Sequence, residues 1–307
     1  MSNLDHITAV LRTDTGQVRG HNEDFVSYWE PSNAKEEAQH GWLYIVADGV
    51  GGADAGEVAS ELTSDRTIQH YLNHPNEADW GQRLLNAMQS ANTELRQYVL
   101  ERNDNSRMAT TMVAAVLQEN HAYIANVGDS RGYLWRNGRI QQITKDQSLV
   151  AKLVEEGAIT EEEALFHPRR NVILYSLGSE RSPQIDLFEQ DLEPGDRLLL
   201  CSDGLTRHVL DEEIALVLSE NEPAAATEIL INRANERGGE DNISVAIVQY
   251  AEQTAVLPQK SARAATVSLV TAAPAQAANR SALWIYTLTL GLVQTALIFL
   301  VWFLLRV

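Results

Sequence analysis

The sequence predicts an α+β fold for residues 1–250. Short apolar runs typical of buried strands and longer segments with helical spacing both occur there, without the regular alternation of a doubly wound sheet. The strand-like runs are residues 41–47, 122–127 and 197–201. The helix-like segments are residues 62–71, 80–101, 212–218 and 224–236. A hairpin turn is predicted at residues 136–139, because Asn137-Gly138 accepts the positive φ angles of a tight turn.

The chain is strongly acidic, and the acidity lies in its first part. It carries 42 Asp and Glu against 24 Lys and Arg, a net charge of −18, and the acidic excess lies before residue 251. Nucleic acid is therefore excluded as a partner, because its phosphates require a basic surface. Divalent cations, basic partners and simple solubility all suit this charge. The sole cysteine, Cys201, cannot form an intramolecular disulfide and is interpreted as a buried strand thiol.

The C-terminal region predicts a tether and one transmembrane helix. Residues 251–281 are rich in alanine and small polar side chains without a sustained apolar period, which predicts a flexible linker. Residues 282–305 carry no charged side chain. As a helix they would reach about 36 Å, against roughly 30 Å for the hydrocarbon core of a bilayer. The N-terminus does not resemble a signal peptide, so the acidic part is expected in the cytosol.

Several predicted turns carry an acidic residue beside a glycine or asparagine, and together they predict a metal centre. Glycine lets the backbone turn sharply and exposes a carboxylate at a strand end. Each pair alone is more often an ordinary turn. The set is stronger, and it comprises Asn22-Glu23-Asp24, Asp48-Gly49, Gly128-Asp129, Asp203-Gly204 and Asp241-Asn242. Such oxygen ligands favour Mg²⁺ or Mn²⁺, whereas zinc spacing and a nucleotide-binding glycine loop are absent from the sequence.

Six motifs resemble, in this order, the type 2C metal-dependent Ser/Thr protein phosphatases (the PPM family) in their bacterial form. They are RGHNED at 19–24, ADGVGG at 47–52, ATT at 109–111, VGDSR at 127–131, LCSDGL at 200–205 and GEDNIS at 239–244. The resemblance implies a four-layer sandwich of two antiparallel β-sheets flanked by helices. It also implies hydrolysis of phosphoserine and phosphothreonine by a water or hydroxide that bridges two divalent ions, Mn²⁺ or Mg²⁺.

The resemblance assigns the first metal ligands position by position. Asp48 would bridge both ions, and the Gly49 carbonyl would bind one of them. Asp203 and Asp241 would hold the first ion. These ligands place the centre at strand ends that are far apart in the sequence.

The resemblance also assigns the residues that would bind the second ion and the substrate phosphate. Glu23 and Asp24 correspond to ligands of the second ion, directly or through water, and which of them ligates stays open. Arg19 lies where the family binds substrate phosphate, a task that suits a guanidinium fork. Asn242 corresponds to a neighbour of the metal site that steadies a ligand or a water.

Two positions depart from the family pattern. Val50 stands where many eukaryotic relatives have a histidine proposed to protonate the leaving group, so the general acid is unassigned, with His21 and His167 as candidates. Arg207 stands where an acidic residue often helps to bind a third ion. Because a cation repels a metal ion, we expect a weak or absent third site at Asp129, with Asp129 paired to Arg207 instead.

Residues 147–180 resemble the mobile flap that lies beside the active site in this family. The alternative is a polar surface excursion without a role in selectivity. Within this segment, Arg169 and Arg170 are weaker candidates for substrate contact.

The enzyme interpretation implies phosphorylated proteins as substrates and a cognate Ser/Thr kinase as a partner. It also implies a single-pass protein of the bacterial inner membrane, held through residues 282–305 with the catalytic domain in the cytoplasm. Two alternatives stay open. A membrane-tethered pseudophosphatase scaffold would bind partners without turnover, and only Arg207 favours it. A plain cation-binding module is disfavoured by Arg19, and simple Ca²⁺ binders use contiguous loops.

Overall fold

Strands and helices follow one another irregularly along the chain, as the α+β prediction requires. The computed structural model describes residues 4, 6–51, 55–75, 77–102, 108–251 and 269–271. The strands of this part are β1 Ile7–Asp14, β2 Asp24–Trp29, β3 Trp42–Val50, β4 Ala109–Thr110, β5 Met112–Gln118, β6 His121–Val127, β7 Arg131–Arg136, β8 Arg139–Gln142, β9 Asp186–Asp191, β10 Arg197–Cys201, β11 Ile243–Tyr250 and β12 Leu269–Thr271. The helices are α1 Ala34–His40, α2 Ala55–Asn73, α3 Trp80–Arg102, α4 Leu149–Glu155, α5 Glu161–Leu165, α6 Asp203–Thr206, α7 Asp211–Glu220 and α8 Pro223–Glu236.

The strands form two sheets. The first has the order β12-β1-β11-β10-β7-β8, and the second has the order β2-β3-β5-β6-β9, with β4 paired to β3. Every strand pairing in the described part is antiparallel except that of β1 with β12, which is parallel. The two antiparallel sheets implied by the resemblance are confirmed.

Apolar side chains fill three layers of core between four layers of backbone. Leu11 and Leu200 of the first sheet pack with Tyr44 and Val46 of the second, and all four are fully buried. Helices α7 and α8 pack on the outer face of the first sheet, and α2 and α3 pack on that of the second. Because β3 is covered on both faces, its sequence is a continuous apolar run rather than an alternating one.

Helix α2 begins seven positions before the segment that its apolar spacing predicts. Its first turns bury small residues, among them Gly56 and Ala59, which contribute little to a hydrophobic period. The small residues allow a close approach to the end of β3. A Cβ atom on Gly49 would lie 2.2 Å from the carbonyl oxygen of Gly56. These two glycines therefore hold the start of α2 directly against the strand end that carries Asp48.

Three residues of the predicted linker form β12, which runs beside residues 11–13 of β1. So short a strand cannot show a period of two, and the sequence pattern did not predict it. Apart from Ala251, the rest of the predicted linker and the predicted membrane span at 282–305 lie outside the described residues. Among the residues that the structure describes, no helix has the length and apolar character needed to span a membrane.

Candidate metal centre

Strand ends bring the predicted acidic residues to one edge of the sandwich. Asp24 and Asp48 are paired across β2 and β3. Asp203 begins α6 directly after β10, and Asp241 lies just before β11, the neighbour of β10. Asp129 follows β6 and is buried. Residues that are far apart in the sequence therefore form one acidic cluster.

Burial and like charge disfavour the ionised form of these carboxyls. The pKa of Asp48 is raised well above its ordinary value, first by burial and then by the charges of the other four aspartates. Burial raises the pKa of Asp24 to about 7 and that of Asp129 to about 8. It also raises the pKa of Asp203 and of Glu23. A nearby cation would restore the charged forms.

The donor set of the cluster fits divalent cations. The Oδ1 atoms of Asp24, Asp129 and Asp203 are buried without a hydrogen-bond partner in the described part of the chain. Unpartnered carboxylate oxygens are the ligands that Mg²⁺ and Mn²⁺ prefer. Among the described residues, no group of three or more histidine, cysteine or acidic side chains is arranged so that it could already hold a metal ion. Two guanidinium groups contact the cluster as well.

Arg207 and Arg19 are those guanidinium groups. Arg207 binds Oδ2 of Asp203 through Nη2 and donates from Nη1 to Oδ2 of Asp241 at 3.0 Å. Arg19 donates from Nη2 to the same Asp241 carboxylate at 2.9 Å. The prediction that Arg207 pairs with Asp129 is wrong. Arg207 lies four residues after Asp203 at the end of α6, so the helical spacing directs its side chain to Asp203.

The sequence of this chain matches a known family of proteins. A family model described as Protein phosphatase 2C matches residues 21–246. The chain belongs to the protein phosphatase 2C family. The serine/threonine phosphatase stp of Listeria innocua is 40% identical over 248 residues, which cover 78% of this chain and 95% of that relative.

Solved structures agree with this assignment. The crystal structure of the Mycobacterium tuberculosis serine/threonine phosphatase PstP/Ppp has a TM-score of 0.70 and 37% identity, over 80% of this chain and 99% of that one. The catalytic domain of PstP in complex with two manganese ions has a TM-score of 0.68 and 35% identity, with coverage of 80% and 99%. The chain is thus a serine/threonine phosphatase of the 2C type.

In this 2C-type phosphatase, Asn242 holds the loop that carries Arg19. Its Nδ2 donates to the carbonyl oxygens of Thr15 and His21, each at 2.9 Å. Its Oδ1 accepts from the backbone N–H of Glu23 at 2.8 Å. The amide therefore fixes backbone on both sides of Arg19.

Hydroxyl groups that were not assigned a role from the sequence also position the aspartates. Ser202 donates to Oδ2 of Asp24 at 2.7 Å and accepts from the backbone N–H of Ser244 at 2.9 Å. Thr110 donates from its side chain to the carbonyl oxygen of Asp48 at 2.8 Å. All of these residues lie inside the motifs that match the family. Their place in those motifs was the only indication of a role that the sequence offered.

The two candidate general acids differ in their surroundings. Burial raises the pKa of Glu23, and the charges of Arg19 and then His21 oppose that effect, so His21 lies near the centre. His167 accepts through Nδ1 from the backbone N–H of Arg169 at 3.1 Å, within a turn of the predicted flap. That flap contains α4 and α5, and its Phe166 is 83% exposed. His21 is thus connected with the acidic cluster through Glu23, and His167 with the flap.

Proposed function

We propose that this chain hydrolyses phosphoserine and phosphothreonine in proteins with two divalent ions, Mn²⁺ or Mg²⁺. The observation that carries the proposal is the convergence of four aspartates on Asp48, whose pKa is raised by burial and by their charges. Such a group is stable in its ionised form only when cations compensate it. The two manganese ions in the complex of the PstP catalytic domain support the choice of metal.

The proposed ligands come from four strand ends: Glu23, Asp24, Asp48, Gly49, Asp203 and Asp241. Asp48 would contact both ions, as the family resemblance implies, and the charges of four other aspartates that act on it support this role. Asp203 and Asp241 would hold the first ion, and residues at the start of β2 would hold the second, directly or through water. Asp129 would serve only a weak third site. Burial raises the pKa of Asp129, and Arg207 partly opposes that rise through a positive charge that also repels a metal ion.

The chain's own residues would bind and orient the substrate. When bound, the ions supply a water of lowered pKa and positive charge beside the phosphoryl oxygens. Arg19 is about half exposed at the edge of the cluster, where its fork can bind two phosphate oxygens. Asn242 keeps the Arg19 loop in place. The leaving oxygen needs a proton, and Val50 carries no ionisable group. We propose His21 as its source, because the charge of His21 acts on Glu23 of the cluster.

Phosphate release by the full-length chain tests the proposed function. We expect turnover of a phosphothreonine peptide in Mn²⁺, loss of that turnover in EDTA, and little release from the matched phosphotyrosine peptide. Mn²⁺ with the peptide but without protein is the control. A folded chain that binds Mn²⁺ but releases no phosphate from several phosphoserine and phosphothreonine peptides would favour the pseudophosphatase scaffold.

We further propose that residues 282–305 anchor the phosphatase in the bacterial inner membrane with its catalytic domain in the cytoplasm. Anchoring would raise the local concentration of membrane-bound phosphoproteins, among them a Ser/Thr kinase or its targets. The supporting observation is the uncharged run, which is long enough to cross a bilayer.

Carbonate extraction of membranes tests the anchor. We expect the full-length chain to stay in the pellet, because a transmembrane helix resists extraction, and a variant lacking residues 282–305 to be released. Release of both proteins, or retention of both, would contradict the proposed anchor.

A further inference from the structure

One guanidinium group spans two carboxylates of the metal centre. Arg207 binds Asp203 through one terminal nitrogen and Asp241 through the other. The Arg207 side chain is 24% exposed, and the side chains of Asp203 and Asp241 are 12% and 15% exposed. The contacts are therefore made in a partly dry environment, where ion pairs are stronger than at an open surface.

The same two carboxylates would hold the first ion. Both use Oδ2 to accept from Arg207, and Asp241 also accepts from Arg19. Burial by itself would lower the pKa of Arg207. The negative charges of Asp203 and then Asp241 outweigh that effect, so the pKa of this guanidinium is raised. A divalent ion and a guanidinium repel one another and need the same oxygen lone pairs. Binding of one therefore weakens binding of the other.

We propose that Arg207 is a built-in counter-ion that competes with the first divalent ion for Asp203 and Asp241. It would set the metal concentration at which the enzyme becomes loaded. The inference rests on the proposed function, because it takes these two carboxylates as metal ligands. The inference differs from the expectation of a weak third site, because the ion that Arg207 would affect is the first ion of the two-ion centre.

Mn²⁺ binding to the full-length chain, followed by the electron paramagnetic resonance signal of the free ion, tests the inference. Arg207→Met removes the charge and keeps a long side chain. We expect it to lower the dissociation constant of the first ion about tenfold, a typical size for coupling between two ligands. Arg207→Lys keeps a positive charge, and we expect its affinity to stay close to that of the wild type.

Arg237→Met is the matched control. Arg237 donates to Glu213 at 2.6 Å, outside the acidic cluster, so the same chemical change there should leave Mn²⁺ affinity unaltered. Unchanged or weaker Mn²⁺ binding by Arg207→Met, with normal binding by the wild type, would overturn the inference. Failure of the wild type to bind Mn²⁺ would instead overturn the proposed metal centre.

A second measurement does not require the Met variant to fold. Magnesium is added to the wild type while the side-chain Nε–H signal of Arg207 is followed by NMR, with the signal assigned by its loss in Arg207→Lys. We expect this signal to shift in step with ion binding, because the guanidinium loses its partners. A signal that stays constant while magnesium binds would contradict the competition.

Discussion

Replacement of Asp48 by asparagine is expected to lower phosphate release from a phosphothreonine peptide by about a thousandfold or more, as loss of a central electrostatic group does in other enzymes. The charges of four other aspartates act on Asp48, and it is the proposed ligand of both ions. Asparagine keeps the shape of the side chain but carries no negative charge. The loss should therefore appear in kcat at saturating Mn²⁺.

Two controls separate chemistry from folding in this experiment. Asp65→Asn makes the same chemical change on an exposed residue of α2 and should leave turnover within about twofold, as surface substitutions usually do. Because burial and like charge already favour the neutral form of Asp48, Asp48→Asn should not lower the melting temperature in EDTA. Turnover of Asp48→Asn close to that of the wild type would contradict the assignment.

The stability of the phosphatase in EDTA is expected to fall as pH rises. Burial raises the pKa of Asp24 to about 7 and that of Asp129 to about 8, whereas both would ionise near the ordinary aspartate value in the unfolded chain. Between about pH 4 and about pH 8 the folded chain therefore holds protons that the unfolded chain has lost, so the free energy of unfolding decreases with pH. A fall in melting temperature of about 10 °C across this range is expected.

Thermal unfolding at several pH values, with EDTA or with Mn²⁺, measures this effect. Mn²⁺ should reduce the fall, because the ions compensate the ionised carboxylates. Asp129→Asn should also give a flatter pH profile in EDTA, since it removes one of the buried carboxyls whose pKa is raised. A melting temperature that rises with pH in EDTA would show that these carboxylates are ionised at ordinary pKa values in the folded chain.

The strands that carry the centre were predictable because their signals are local. The runs before Asp48, Asp129 and Asp203 form β3, β6 and β10, and Asn137 and Gly138 adopt the positive φ angles predicted for the hairpin. The start of α2 was missed, because its buried residues are too small to mark an apolar period. Strand β12 was missed because three residues cannot show a pattern.

The sequence by itself determined the α+β class, the acidic strand ends and, through six ordered motifs, the phosphatase family. These properties can be read from side-chain periodicity, turn residues and short motifs, because each of these patterns involves residues that are close together in the sequence. Only the tertiary structure decided that Arg207 binds Asp241 as well as its helical neighbour Asp203, and that Asn242 holds backbone on both sides of Arg19. Such contacts depend on how β10, β11 and the loop before β2 meet in space, and no local pattern contains that geometry.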